Sequence, residues 1–251
     1  MSALRNVPQR GGVALLYIAL GDYHRLWPGF RTSAEHRLVS EAQRTFIVFS
    51  DQPAARFPGA DLVIPQDDLG WPMNTLARFR FFRRIRDQLA SIEHVLFLNA
   101  NVEIHDPISV HELFGADVDL VACRHPGFYD KAPQRFTYER RPESTACVTQ
   151  GSVYVAGGLM GGRTAPFLEM CDILHANIEA DLDRGLLALW HDESHWNHYI
   201  NERAPALGRT VHLLDPGCLY PEGWRLPFPP RIVLRDKARF IDVKRLKGPP
   251  R

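Results

Sequence analysis

Residues Trp190-His191-Asp192-Glu193-Ser194-His195-Trp196-Asn197 place two carboxylates, two imidazoles, a hydroxyl, an amide and two indoles in eight consecutive positions. That density of titratable and hydrogen-bonding groups suits a reaction centre and is costly in an ordinary packed core. Trp196, Tyr199 and Ile200 follow at the spacing of a helix's core face, so the stretch reads as a loop entering a helix N-terminus. Asp192 or Ser194 would be the N-cap, at an end that favours negative charge. Two chemistries compete. His191 and His195 are four apart, the spacing of zinc ligands on one helix face, but the position where a zincin carries its Glu holds Asp192. Alternatively, Glu193 faces a sugar carbon that develops positive charge, as glycosyl chemistry requires.

The elements that must position this stretch have the rhythm of an α/β protein. The apolar run over residues 13–20 has the length and continuity of a strand buried on both faces of a parallel sheet. Gly21-Asp22-Tyr23 follows at its carboxyl end, where open α/β sheets bind ligands. A helix over about residues 26–43, strands over 45–50 and 61–64, and a helix from an Asn74 N-cap to about residue 90 come next. Leu76, Phe79, Phe82, Ile85 and Leu89 form one stripe of that helix, and Arg78, Arg80, Arg83, Arg84 and Arg86 cover the remainder as a mainly solvated basic face. One arginine near the helix start is placed to reach a phosphate. The strand over 94–98 ends in Asn99-Ala100-Asn101, either a turn-forming pair or a pair of polar ligands at alternate positions. A strand over 119–123, a helix over 163–184 and a last strand over 210–214 complete the alternation, and prolines break up the segment after it.

Composition bounds the function. At 251 residues with 45% hydrophobic and 24% charged content, the chain supports one large domain. A formal net charge of +1 argues against nucleic acid as a partner. Cys123, Cys147, Cys171 and Cys218 lack metal or disulfide spacing and suggest buried thiols in a reducing compartment. No run is long enough to span a bilayer and no signal-peptide pattern is present, so the expected location is the cytoplasm.

Several longer segments coincide in order: Phe49-Ser50-Asp51-Gln52-Pro53-Ala54-Ala55, His125-Pro126-Gly127-Phe128-Tyr129, Phe136-Thr137-Tyr138-Glu139-Arg140-Arg141, Tyr154, Gly157-Gly158-Leu159-Met160-Gly161-Gly162 and Trp190-His191-Asp192-Glu193-Ser194-His195. Together they resemble glycosyltransferase family 6, the family of the histo-blood-group A and B transferases and the α-1,3-galactosyltransferases, over about residues 13–220. The resemblance implies a GT-A, Rossmann-like α/β fold with a mixed, mostly parallel central sheet flanked by helices. It divides the chain into a flexible segment 1–12, a catalytic domain 13–230 and a basic tail 231–251 that closes over the donor site. That tail carries eight Lys or Arg against Asp236 and Asp242.

The implied reaction is retaining α-1,3 transfer of galactose or N-acetylgalactosamine from a UDP-sugar to a galactoside. Glu193 matches the proposed nucleophile, and with Asp192 it also faces the acceptor. Ile18, Ala19 and Leu20 match the uridine-binding strand end, Tyr23 a nucleotide contact and Arg78 the helix arginine that reaches the donor. Ala156, Gly157, Gly158, His191 and Asp192 fall on the donor side; His125, Thr137 and Trp190 match acceptor contacts. Asn99 and Asn101 stand where the family carries Asp-x-Asp. The family's bacterial branch shares Asn-x-Asn and works without a divalent metal, so no cofactor is expected, and Lys or Arg from the tail would substitute for the ion. Gly127 and Gly158 match the A-type residues, which predicts UDP-N-acetylgalactosamine as donor, with UDP-galactose as the alternative. A fucosylated galactoside is the expected acceptor, within bacterial surface glycan synthesis such as lipopolysaccharide. A lipid-linked acceptor would bring the enzyme to the periphery of the inner membrane. The readings outside this class are a zinc-dependent hydrolase using His191 and His195, and a non-catalytic glycan-binding relative.

Overall fold

A computed structural model describes residues 11–242; the remainder of the expected flexible N-terminus (1–10) and the tail from 243 onward lie outside the described residues. The chain begins β1 (Val13–Ala19), α1 (Trp27–Arg37), β2 (Arg44–Ser50) and β3 (Leu62–Pro65). Three helical pieces follow, α2 (Met73–Leu76), α3 (Arg78–Arg84) and α4 (Arg86–Leu89), then β4 (His94–Leu98), β5 (Val102–Ile104), α5 (Val110–Phe114) and β6 (Leu120–Arg124). The second half is β7 (Val155–Arg163), α6 (Thr164–Asp183), α7 (Asp192–His198), β8 (Val211–Leu214), β9 (Tyr220–Pro221) and β10 (Ile232–Leu234).

Seven strands form one sheet in the order β3-β2-β1-β4-β7-β6-β8. The pairs β2–β3, β1–β2, β1–β4 and β6–β8 are parallel, and β7 runs antiparallel to β4 and β6. Helices cover both faces, which is why β1 reads as an unbroken apolar run. Val13, Leu15, Tyr17 and Ala19 enter the core under α1, whereas Ala14 and Leu16 enter the core built with α3 and α6. The mixed, mostly parallel sheet is the architecture expected of a GT-A fold. Among the described residues no helix is long and apolar enough to cross a membrane.

The expected helix over 26–43 is shorter, because Arg44 reaches back and donates from Nη1 to the carbonyls of Ala34, Glu35 and Leu38 at 2.8, 2.9 and 3.2 Å. The Ala34 carbonyl also accepts from Leu38 N–H at 3.2 Å, and the guanidinium adds a donor at a helix end where the last carbonyls run out of intrahelical ones. The stripe from Leu76 to Leu89 is buried as predicted, but the backbone unwinds at Ala77 and Ile85, so one expected helix is three pieces. Asn74 lies inside α2 and caps nothing: its side chain accepts from Leu69 N–H at 2.9 Å and donates to Asp68 at 2.6 Å, fastening the loop before it. Residues 210–214 do not hold the last strand. The proline-rich stretch after them leads to β10, which pairs with β5 and β9 in a second, three-stranded sheet. Of the cysteines, Cys123, Cys171 and Cys218 are buried, Cys147 is half-buried and all four are free thiols.

The element hidden from the sequence is β7. Four glycines give it the look of a loop, yet all but its last residue are buried. A side chain at Gly161 would lie 2.5 Å from the Val95 carbonyl and one at Gly162 2.2 Å from the Asp119 carbonyl. Only glycine lets the neighbouring backbones approach that closely. Because β7 is antiparallel to β4, its first residues lie beside the end of β4, where Asn99 N–H donates to the Gly158 carbonyl at 2.9 Å.

Candidate active site

A cleft of about 680 Å³ opens at the carboxyl ends of β1 and β4. Ile18, Leu20, Tyr23, Arg78, Asn99 and Asn101 line it, all named from the sequence for donor binding. The Ala19 side chain points into the core instead, and its carbonyl accepts from the Ser50 hydroxyl. Trp71, Thr75, Phe97 and Lys237 also line the cleft, and sequence reading had given none of them a role by number. Lys237 arrives from beyond β10, with Nζ 3.4 Å from the Tyr23 hydroxyl.

At the inner end of the cleft, β7, α3 and α7 meet. Arg78 is buried, with Nη1 2.6 Å from the Gly157 carbonyl and 3.0 Å from Asp192 Oδ2, and its guanidinium lies 4.7 Å over the Phe97 ring. Burial raises the Asp192 pKa above the ordinary carboxylate value, and the Arg78 charge opposes that rise. The neighbouring carboxylate is held from the other side: Glu193 Oε2 accepts from Gly157 N–H at 2.8 Å and Oε1 from the Tyr154 hydroxyl at 3.2 Å. Burial lifts Glu193 to about 7, and the Asp192 charge adds to the lift. The Gly157 N–H, Tyr154 hydroxyl and Arg78 draw it back.

Neither Asp192 nor Ser194 is the N-cap of α7. His191 caps it with φ +53, so Asp192 and Glu193 occupy the first helical turn, where the exposed N–H groups and the dipole favour their charge. Ser194 Oγ instead accepts from Trp190 N–H at 2.9 Å. Fully buried Asn197 fixes α7 to β7, accepting from Val155 N–H at 2.9 Å and donating to the Val155 carbonyl at 2.8 Å. This lock sets Glu193 one helical turn away against Gly157.

His125, Thr137 and Trp190 gather on the outer side of Glu193. Burial, with Lys131 nearby, lowers the His125 pKa to about 4. The ring is therefore neutral at pH 7, with Nδ1 accepting from Gly127 N–H at 2.9 Å. Trp190 is half exposed, and its indole N–H donates to Thr137 Oγ1 at 3.0 Å. Ala156 is buried on β7, and Gly158, two residues on, lies beside Asn99.

The two histidines once considered as a zinc pair point apart. His191 packs edge-on to Trp71, 5.0 Å between ring centroids, while His195 is buried with Nε2 3.9 Å from Asp181. Because α7 starts after His191, the two do not share a helix face, and the structure does not support a zinc hydrolase built on them. Asn99 and Asn101 offer only neutral amide oxygens, weaker partners for Mn²⁺ or Mg²⁺ than carboxylates, and Asn101 Nδ2 donates to the Arg235 carbonyl at 2.7 Å. Asp22 and Asp68 line the same cleft. Among the described residues no three His, Cys, Asp or Glu are grouped to hold a metal ion.

Known proteins resemble the chain in sequence. Residues 6–222 match the family described as glycosyltransferase family 6. The chain is 28% identical over 232 residues to the Escherichia coli O-antigen biosynthesis glycosyltransferase WbnI, covering 90% of this chain and 95% of that one. It is 31% identical over 238 residues to globoside alpha-1,3-N-acetylgalactosaminyltransferase 1 of Canis lupus familiaris, covering 88% and 64%. To histo-blood group ABO system transferase 1 of Rattus norvegicus it is 27% identical over 249 residues, covering 94% and 67%. The chain thus spans nearly all of the bacterial relative and about two thirds of the animal ones.

Proposed function

The chain belongs to glycosyltransferase family 6, and from that premise we propose that it moves N-acetylgalactosamine from UDP-N-acetylgalactosamine to the 3-hydroxyl of a fucosylated galactoside, with retention and without a divalent metal. As a glycosyltransferase it takes a nucleotide-sugar donor and a glycan acceptor. The observation that carries the proposal is the placement of Glu193 between the Gly157 N–H and the Tyr154 hydroxyl, beside the Arg78–Asp192 pair whose Arg78 lines the cleft. On this reading a sugar bound past Arg78 presents its anomeric carbon to that carboxylate.

In the reaction, the bond from the anomeric carbon to the β-phosphate oxygen breaks and its electron pair leaves with UDP. The acceptor oxygen bonds to that carbon on the same face, and its proton passes to the departing phosphate or to solvent. Glu193 acts in one of two ways: as a nucleophile giving a glycosyl ester that the acceptor displaces, or as an anion beside the oxocarbenium-like carbon. Asp192 and Arg78 hold sugar hydroxyls and the diphosphate. On this reading, charge developing on UDP is offset by Arg78 and by Lys237, which takes the part a divalent cation would play. Small residues at Gly127, Ala156 and Gly158 support an acetamido-bearing donor, in keeping with the N-acetylgalactosaminyltransferase name of the Canis relative. Similarity to WbnI, an O-antigen biosynthesis glycosyltransferase of Escherichia coli, supports a role in bacterial surface glycan synthesis.

The test is UDP release in EDTA, comparing UDP-N-acetylgalactosamine with UDP-galactose, with and without 2'-fucosyllactose. Acceptor-dependent release from the acetamido donor in EDTA is the expected result. Activity that returns only with Mn²⁺, or preference for UDP-galactose, would overturn the corresponding part.

A further inference from the structure

A line of hydrogen bonds crosses from the acceptor side to Glu193. The Trp190 indole N–H donates to Thr137 Oγ1 at 3.0 Å, the Thr137 hydroxyl donates to the Tyr154 hydroxyl at 3.4 Å, and that hydroxyl donates to Glu193 Oε1 at 3.2 Å. Each donor points the same way, so each bond polarises the next and the last one falls on the carboxylate. Its ends differ in exposure: Trp190 is half exposed, while Tyr154 is 3% exposed. The Tyr154 ring is fixed by His125, Phe128, Phe136 and Tyr138, with centroids 4.4–5.8 Å away, so its hydroxyl has little freedom to turn elsewhere.

We infer that Tyr154 is a positioning residue that couples occupancy of the acceptor side to the reacting carboxylate through Thr137 and Trp190. The inference rests on the reading of Glu193 as that carboxylate. A sugar hydroxyl arriving at Trp190 or Thr137 takes one of the hydrogen bonds in the line, and the change reaches Glu193 through the Tyr154 hydroxyl. Glu193 is otherwise faced by the Gly157 N–H from β7, by Asp192 from its own helix and by Arg78 from α3. Of these, Tyr154 alone is bonded toward the acceptor-side residues. Its hydroxyl favours the ionised carboxylate, against a burial that favours the neutral one.

The experiment compares Tyr154→Phe, Thr137→Val, Glu193→Gln and the unaltered protein. Acceptor-free donor hydrolysis and transfer at saturating acceptor are followed from pH 5 to 9, with UDP affinity as a folding control. Tyr154→Phe keeps the packed ring and removes only the hydroxyl. It should move the acidic limb of kcat up by about one pH unit. Transfer below pH 7 should fall about ten-fold, with UDP affinity unchanged. Thr137→Val removes the donor to the Tyr154 hydroxyl, so it should move the acidic limb of acceptor-free hydrolysis in the same direction as Tyr154→Phe but by less. Coincident pH profiles for Tyr154→Phe and the unaltered protein, or an acceptor-free limb in Thr137→Val that coincides with that of the unaltered protein, would overturn the coupling. Near-normal transfer by Glu193→Gln would instead overturn the reading on which it rests.

Discussion

Arg78 and Asp192 form a buried ion pair, Nη1 to Oδ2 3.0 Å, and the same Nη1 donates to the Gly157 carbonyl at 2.6 Å. One guanidinium thus ties α3 to the strand and the helix that hold Glu193. Removing it leaves a buried carboxylate without its cation, a change that costs about 3–5 kcal/mol. Arg78→Ala should therefore lower unfolding free energy by about that amount and abolish transfer, as urea melts and UDP release would register. Arg78→Lys keeps the charge and loses the planar fork, so it should recover stability more than turnover.

Gly158 is predicted to govern donor choice indirectly. A Cβ there would lie 2.8 Å from Asn99 Nδ2 and 3.5 Å from Leu219, so the Asn99 amide must swing toward the cleft. Gly158→Ala should lower the ratio of kcat/KM for UDP-N-acetylgalactosamine over UDP-galactose about ten-fold or more, the scale of a methyl-sized change in a pocket. An unchanged ratio in competition assays would contradict this.

Lys237 and Arg239 are two residues apart with different surroundings. Lys237 lines the cleft beside Tyr23, whereas Arg239 pairs with Glu222 and is 64% exposed. Lys237→Ala should weaken UDP binding about ten-fold, as expected for a charge-assisted contact to phosphate. Arg239→Ala should leave it unaltered; calorimetric titration in EDTA separates the two.

The pH dependence follows from Glu193, whose pKa burial raises from 4.5 to about 7. Transfer should rise with pH through a midpoint near 7, since the carboxylate must be ionised to act. Stability has the opposite sign. Between pH 4.5 and 7 the folded state holds a proton that the unfolded chain has lost, so this group's contribution is present below 4.5 and lost as pH rises through 7. His195, depressed from 6.5 to about 4 by burial, works the other way and offsets part of that loss. Glu193→Gln removes only the first effect. Relative to the unaltered protein it should gain on the order of 3 kcal/mol between pH 4.5 and 7 in urea melts.

Where the sequence spoke clearly, one local pattern sufficed. The apolar runs of β1 and β4 and the stripe Phe167, Met170, Cys171, Leu174 and Ile178 of α6 are each written in consecutive residues, and all five stripe positions are buried. The density of polar groups over residues 190–197 was equally legible because one short stretch carries it. Their packing was not: the resemblance names Tyr154 and Gly157, but that they meet Glu193 across 39 and 36 residues, through a glycine-rich strand that propensity disguises as a loop, shows only in the structure. Lys237 was hidden among other tail cations, because only the return of β10 to β5 brings that segment to the cleft. The cap of α7 was misplaced because His191 adopts positive φ, which no residue preference favours for histidine strongly enough to read.

The most direct test of the account is transfer by Glu193→Gln at pH 8, with UDP binding measured on the same preparation. The substitution keeps the side chain's shape and removes its charge. The account predicts UDP affinity close to that of the unaltered protein, with transfer reduced at least a hundred-fold, the scale of losing a charge that stabilises the transition state. Transfer within a few-fold of the unaltered protein would contradict it and remove Glu193 from the reaction.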